Sequence, residues 1–344
     1  MKHGLLVAAI MLLIVALFVM GCPAPAPPAP APPVPAPPKP APPAEMILKI
    51  GTGPIGGYWF PGGAVLSQII TEFVPGVSAA PTLGGAVSNA RDTNSGKMQI
   101  GYTYNTMAKD GWLGREPFKE KMVNMRYMHN MYISPMHIIT IKALNLKTME
   151  DLKGHDFSPG KKGWGGETSF RRMLKESGMS YDDLGKCTFC GYSEGALLMK
   201  DKHIDFYAIA TMAPSAPFLD VAVFEPLWII GGGDELIDLM MEKYGMAEYT
   251  IEANTYPGCD IDVRCCAMSA HWIVNVDVPE DVVYQITKAS YENYERYHAV
   301  QAGLKKYVLP ENFLLGASCP LHKGAYKFFK EVGLEIPKEA MPVD

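Results

Sequence analysis

From Met46 onward the chain repeats one local order: a short apolar run, then a glycine-rich turn, then a segment with helical periodicity. Met46-Ile47-Leu48-Lys49-Ile50 runs into Gly51-Thr52-Gly53-Pro54-Ile55-Gly56-Gly57-Tyr58-Trp59-Phe60-Pro61-Gly62-Gly63. A helix is expected from about Ala64 to Phe73, where Val65, Leu66, Ile69 and Ile70 fall on one face, and Pro75-Gly76 ends it. A second strand near Val77 to Thr82 opens into Leu83-Gly84-Gly85, and Ala86-Val87-Ser88-Asn89 begins another helix. A third, Gln99 to Thr103, ends at Tyr104-Asn105. Strand, loop and helix in alternation predict α/β architecture with a parallel sheet flanked by helices. The glycine loops then gather at the carboxyl ends of the strands, where open α/β sheets bind ligands.

Two long apolar segments interrupt this order. Met136-His137-Ile138-Ile139-Thr140-Ile141 precedes Met149-Glu150-Asp151-Leu152-Lys153-Gly154, which opens a second lobe. That lobe carries the glycine-rich loop Gly160 to Gly166, a helix expected over Glu167 to Ser177, the stretch Ile204 to Ala210 and a strand Leu227 to Ile230. Ala267 to Val276 is the second long strand, followed by a helical run from Pro279 to Gln301. The expected organisation is residues 46–140 and 267–344 in lobe I and 141–266 in lobe II, joined by a two-stranded hinge.

The amino terminus carries processing signals rather than fold. After one basic residue, Lys2, an apolar run extends from Leu5 to Met20; its ~16 residues fall short of the ~20 that span a bilayer, so it reads as a signal sequence. Val19-Met20-Gly21-Cys22 resembles a bacterial lipobox, making Cys22 the expected lipid-bearing residue and residues 1–22 the signal peptide. Residues 23–45 are almost wholly Pro and Ala, a composition that favours extended polyproline II and, at ~3.1 Å per residue, forms a tether of roughly 60 to 70 Å. The expected location is the periplasm or the outer face of the cytoplasmic membrane, with membrane contact through the lipid anchor.

Composition narrows the function classes. With 48% hydrophobic residues the body can bury proper cores, and a net charge of -5 without any basic stretch argues against a nucleic-acid partner. Six cysteines remain beside Cys22, in a compartment that permits disulfides. Cys187-Thr188-Phe189-Cys190 is compatible with a local disulfide, buried thiols or half a metal site; no second spaced pair supports zinc. The eight histidines show no H-x-x-x-H or HExxH spacing, and no G-x-S-x-G elbow occurs, so neither a catalytic constellation nor a cofactor is expected.

Gly51-Thr52-Gly53-Pro54-Ile55-Gly56 matches the dinucleotide fingerprint as a string, yet Trp59-Phe60-Pro61 intervenes before the expected helix, and Ala80-Pro81-Thr82 offers no acidic residue for a ribose. A simpler use of the same physics is anion binding. Glycines let backbone amides approach a ligand, and the helix that follows presents unpaired N–H groups and a partial positive end. Three such loops, at Gly56-Gly57, Gly84-Gly85 and Gly165-Gly166, precede helices. Ser88 and Asn105 are polar residues at element ends, and Tyr58, Trp59 and Trp164 are candidate pocket walls.

The ordered motifs Gly51-Thr52-Gly53 through Gly56-Gly57-Tyr58 with Pro61-Gly62-Gly63-Ala64, Pro75-Gly76-Val77, Gly84-Gly85-Ala86-Val87-Ser88-Asn89, Leu152-Lys153-Gly154, Thr255-Tyr256-Pro257-Gly258, Val278-Pro279-Glu280-Asp281 and Pro320-Leu321-His322-Lys323-Gly324-Ala325 resemble the TAXI-type solute receptors of tripartite ATP-independent periplasmic (TRAP) transporters. The resemblance implies a type II periplasmic-binding-protein fold that closes over an organic anion, a carboxylate or amino acid, and docks on an ion-gradient-driven permease. It implies no enzymatic activity. A sensor receptor for a membrane kinase and an exported α/β hydrolase are the alternatives. By matching position it implies ligand contacts from Gly56, Gly57, Tyr58, Gly84, Gly85, Ser88 and Asn105, and from the loop ending in Gly165, Gly166, Glu167 and Thr168. The loop Pro159 to Thr168 departs from the family's Pro-Gly-Ser-Gly-Thr form: Trp164 is expected to favour an apolar or aromatic group, and Glu167 to repel a second carboxylate.

Overall fold

The computed structural model describes residues 46–54 and 57–343; the signal peptide, Cys22, the Pro/Ala tether and Gly56 lie outside the described residues. Among the described residues there are nine strands and ten α-helices. In order they are β1 (Met46–Gly51), α1 (Trp59–Phe73), β2 (Val77–Thr82), α2 (Ala86–Asn94), β3 (Ile100–Tyr104), α3 (Asn105–Leu113) and β4 (Met125–Ile141). There follow β5 (Phe157–Ser158), α4 (Gly165–Glu176), α5 (Tyr192–Lys200), β6 (Phe206–Ala210), α6 (Ala216–Ala222), β7 (Leu227–Ile229), α7 (Asp234–Tyr244) and β8 (Ala247–Ile251). The chain ends with β9 (Val263–Asn275), α8 (Glu280–Glu292), α9 (Glu295–His298) and α10 (Lys323–Glu331). No helix among the described residues is long and apolar enough to cross a membrane.

The strands run β2-β1-β3-β9-β4-β6-β5, with β7 on β4 and β8 on β9. The expected parallel sheet holds for β1 against β2 and β3, but β9 inserts antiparallel beside β3, so the sheet is mixed. This follows from chain return: β9 comes back from the other half of the molecule and enters from the opposite end.

β4 and β9 are far longer than ordinary strands, at 17 and 13 residues. Met125 to Pro135 of β4 pair with β9, whereas Met136 to Thr140 pair with β6 and Ile139 to Ile141 with β7. β9 pairs with β8 through Val263 to Ala267 and with β3 through Ala270 to Val274. Two continuous strands thus join an N-terminal α/β half to a central one, the two-lobed arrangement with a two-stranded connection expected from sequence. Both are buried almost throughout, which explains why Met136 to Ile141 and Ala267 to Val276 read as apolar segments without alternation; the Met125 to Pro135 part of β4, which carries Arg126, His129, Asn130 and Ser134, was not expected as strand.

Two helices start earlier than expected. α1 begins at Trp59, directly after the glycine loop, because Pro61 sits in the first turn, where its missing N–H forfeits no intrahelical bond. α4 begins at Gly165, two residues before Glu167. The separation of loop from helix seen in the sequence at Trp59-Phe60-Pro61 is therefore absent.

Candidate functional site

Between the two halves lies a cavity of about 250 Å³. From the N-terminal half it is lined by Gly57, Tyr58 and Trp59 at the start of α1, by Gly85 and Ala86 at the start of α2, and by Tyr104 at the end of β3. From the central half come Trp164, Gly165 and Gly166 at the start of α4, Tyr192 at the start of α5, Ile209 and Ala210 at the end of β6 with Thr211 and Met212 just after it, and Ser215 to Pro217. Tyr132 of β4 forms part of the wall, and Val300 and Gln301 part of the rim.

Three helices of nine residues or more, α1, α2 and α4, therefore direct their N-terminal turns into one space. Their N-cap residues, Tyr58, Gly85 and Trp164, supply no side-chain acceptor to the first amides. Each N-terminus carries a partial positive charge of roughly half an electron, so their convergence favours an anion. Among the described residues no Asp, Glu, Lys, Arg or His lines the cavity.

The glycines permit close approach across the cleft. A Cβ on Gly165 would collide with the Tyr104 ring, lying 2.9 Å from its Cε2. One on Gly57 would stand 3.1 Å from Cε2 of Tyr192, also across the cleft, whereas one on Gly166 would stand 2.8 Å from the Ala210 amide nitrogen within the central half. The halves are closed on one another in this structure.

The aromatic wall is held from behind. Trp59 Nε1 donates to the Tyr132 hydroxyl at 2.9 Å, Tyr192 Oη donates to the Ala210 carbonyl at 3.3 Å, and the Tyr104 and Ser134 hydroxyls are 3.3 Å apart. Trp59 stacks on Tyr102, and the Trp164 and Tyr192 ring centroids are 5.1 Å apart. Burial pushes the Tyr104 phenol up to about 12 and raises those of Tyr58, Tyr132 and Tyr192 well above their usual range, so the wall is uncharged at neutral pH.

Of the residues singled out in the sequence, Gly57, Tyr58, Gly85, Trp164, Gly165 and Gly166 meet at the cavity. Gly56 lies outside the described residues. Gly84, Ser88, Asn105, Glu167 and Thr168 do not line it, for identifiable reasons. Gly84 makes room for Asn89, whose Nδ2 donates to the Thr52 and Tyr102 carbonyls at 2.8 Å each and ties the loop after β1 to strand β3. The Ser88 hydroxyl is 3.0 Å from both the Gly85 amide and its carbonyl, closing the first turn of α2. Asn105 spends its carboxamide on the Gly245 carbonyl and the Ser269 amide.

Glu167 turns back into its own lobe, accepting from the Gly163 amide, Arg171 Nε and the Tyr181 hydroxyl, so the expected repulsion of a second carboxylate does not come from it. Thr168 is buried toward a separate groove shared with Arg171 and Arg172. There Arg172 Nη2 bonds Asp110 at 2.7 Å and the Glu116 carbonyl at 2.8 Å, tying α4 to α3.

Sequence reasoning missed Tyr104, Tyr132, Tyr192, Thr211 and Ser215 as cavity residues. Tyr104 immediately precedes the Asn105 that was singled out, one residue off at the end of a strand. Tyr192 begins a helix after Gly191, a signal of the same kind as the three loops recognised. All six described cysteines are free thiols; Cys190 Sγ is 3.0 Å from the Ser158 hydroxyl, and no metal-competent cluster occurs among the described residues.

The fold is that of periplasmic binding proteins. PhnD1 from Prochlorococcus marinus (MIT 9301), solved in complex with methylphosphonate, superposes with a TM-score of 0.51 at 10% identity, covering 83% of this chain and 98% of that one. A TctC solute binding protein from Polaromonas gives 0.47 at 12% identity over 83% and 98% of the two chains. The alkanesulfonate-binding protein SsuA from Xanthomonas axonopodis pv. citri, bound to MOPS, gives 0.46 at 14% over 87% and 96%. These neighbours are binding proteins rather than enzymes. The NMT1-like family model matches residues 50–333, nearly the whole folded body, and the chain belongs to the NMT1-like family.

Proposed function

We propose that this protein is an extracytoplasmic solute receptor of the TAXI type, which closes two lobes over a small organic anion and delivers it to a TRAP-type membrane permease. The observation that carries the reading is the convergence of three helix N-termini on one closed, uncharged cavity. It binds and does not turn over its ligand. Carboxylates suit the site because their oxygens accept from the first-turn amides of α1, α2 and α4. Ligand contacts fall to Gly57, Tyr58, Gly85, Trp164, Gly165 and Gly166, with residues 46–140 and 267–344 moving against 141–266 about the β4 and β9 crossovers. Contacts from both lobes shift the population toward closure. Cys22 carries the lipid and residues 23–45 hold the body near the membrane.

Thermal shift of the purified chain against carboxylates and their neutral amides tests the anion reading. Ligand at 100 times its dissociation constant adds about 2.7 kcal/mol to stability. Amides that stabilise as well as their acids would sink it. Uptake into vesicles bearing the cognate permease tests the partner: transport is expected with an ion gradient and no ATP, and an ATP requirement would overturn the TRAP assignment.

A further inference from the structure

The cavity's charge balance narrows the ligand beyond an organic anion. We infer that it selects a monoanion with a single apolar ring as its body, of the size and kind of an aromatic or alicyclic monocarboxylate, and discriminates against dicarboxylates and α-amino acids. This rests on the anion-receptor reading above.

Charge comes first. The three helix N-termini favour one anionic group, but no Lys, Arg or His among the described residues lines the cavity to pair with a second carboxylate, and no Asp or Glu lines it to pair with an ammonium. The aromatic hydroxyls offer no ionised substitute, since burial holds Tyr58, Tyr104, Tyr132 and Tyr192 in the phenol form. A second charge would enter a closed site unpaired, which is strongly unfavourable.

The body of the ligand meets rings. The Tyr132 and Tyr192 hydroxyls are engaged with Trp59 and Ala210, and that of Tyr104 lies against Ser134, so these side chains offer carbon rather than oxygen. Trp164, Ile209, Met212 and Val300 complete an apolar wall. At about 250 Å³ the space exceeds the ~150 Å³ of an apolar cavity that holds benzene, leaving room for a ring and its carboxylate.

One polar side chain at the cavity lies outside the three converging helix starts. Ser215 is only 5% exposed and lines the cavity; its side chain makes no cap bond to the helix that follows, and its amide donates to the Tyr256 hydroxyl. A hydroxyl on a cavity-lining residue that is not spent on a helix cap is available to an acceptor on the ligand.

Calorimetric titration of the full chain in mild detergent tests this, after mass spectrometry of denatured protein has identified anything carried through purification. The probes are benzoate, cyclohexanecarboxylate, succinate, glutamate and benzyl alcohol. Benzoate or cyclohexanecarboxylate is expected to bind on the order of a hundredfold or more tighter than succinate and glutamate. Trp164→Leu is expected to weaken the ring acids at least about tenfold while leaving the unfolding temperature within a degree or two. Succinate or glutamate binding as tightly as benzoate, or recovered from the purified protein, overturns the monoanion inference and leaves the anion receptor standing. Benzyl alcohol binding as tightly as benzoate overturns both. Ligand-free protein that binds none of the panel overturns the proposed class.

Discussion

Gly165→Ala is a one-methyl test of lobe closure. Gly165 is the first residue of α4, and the new Cβ would press into the Tyr104 ring from the opposite half, 2.9 Å from Cε2 and closer still to Cδ2. The ring cannot easily withdraw: Tyr104 is 4% exposed, its hydroxyl lies against Ser134, and its centroid is 4.9 Å from that of Trp59. Gly165 is not among the positive-φ glycines, so alanine adopts its backbone conformation without strain. Overpacking of this kind costs about 1–3 kcal/mol. That cost falls on the closed state alone, since an open cleft separates the two residues, and it corresponds to roughly a 5- to 150-fold loss of apparent affinity. Unfolding of the ligand-free protein should be unchanged or slightly raised, because alanine is the better helix former. Titration with whichever ring acid binds wild type, beside calorimetric unfolding without ligand, separates the two effects. Affinity within twofold of wild type would mean that Tyr104 and Gly165 do not meet in the ligand-bound state, and the closure argument would fail.

Other perturbations act on stability. Asn89→Leu strands the buried Thr52 and Tyr102 carbonyls and should cost about 2–4 kcal/mol by urea unfolding; a loss below about 0.5 would remove Asn89 as the brace between the loop before α1 and strand β3. Arg172→Met leaves Asp110 buried without its partner and should cost about 3–5 kcal/mol, most of it recovered in the double variant with Asp110→Leu; no recovery would show that Arg172 acts through other contacts. Burial depresses His129 and His137 to about 4 and His271 to about 3. The unfolded chain, with histidines near 6.5, therefore binds more protons between roughly pH 4 and 6.5, and stability falls with pH by up to about 4 kcal/mol per unit for the three together. A urea midpoint that is flat from pH 7 to 5 would contradict neutral buried imidazoles.

The glycine loops and helical periodicity around Gly57, Gly85 and Gly165 were legible in sequence because each is a local event: a strand ends, a turn needs room, a helix starts. The same locality exposed the Met136 to Ile141 end of β4 and most of β9 as apolar segments, since strands buried on both faces lose their alternation, but not the Met125 to Pro135 part of β4. Side-chain direction was not legible. Glu167 and Gly166 are neighbours, yet one carboxylate turns back to Gly163, Arg171 and Tyr181 while the other residue faces the cavity. Asn105 had the chemistry of a ligand contact but met Gly245 and Ser269, more than a hundred residues away in sequence.

The sequence alone thus determined the α/β order, the interruption of one half by the other and the presence of three glycine loops ahead of helices, because these follow from short-range periodicity and backbone freedom; the starts of α1 and α4, at Trp59 and Gly165, came earlier than the sequence indicated. Tertiary structure decided which side chains share the cavity. Tyr104, Tyr132, Tyr192 and Ser215 come from four separate elements or loops and meet only when the two halves close, and the absence of ionised groups among the described lining residues is a property of that meeting. Which partners a polar side chain finds depends on contacts distant in sequence, and no local pattern encodes them.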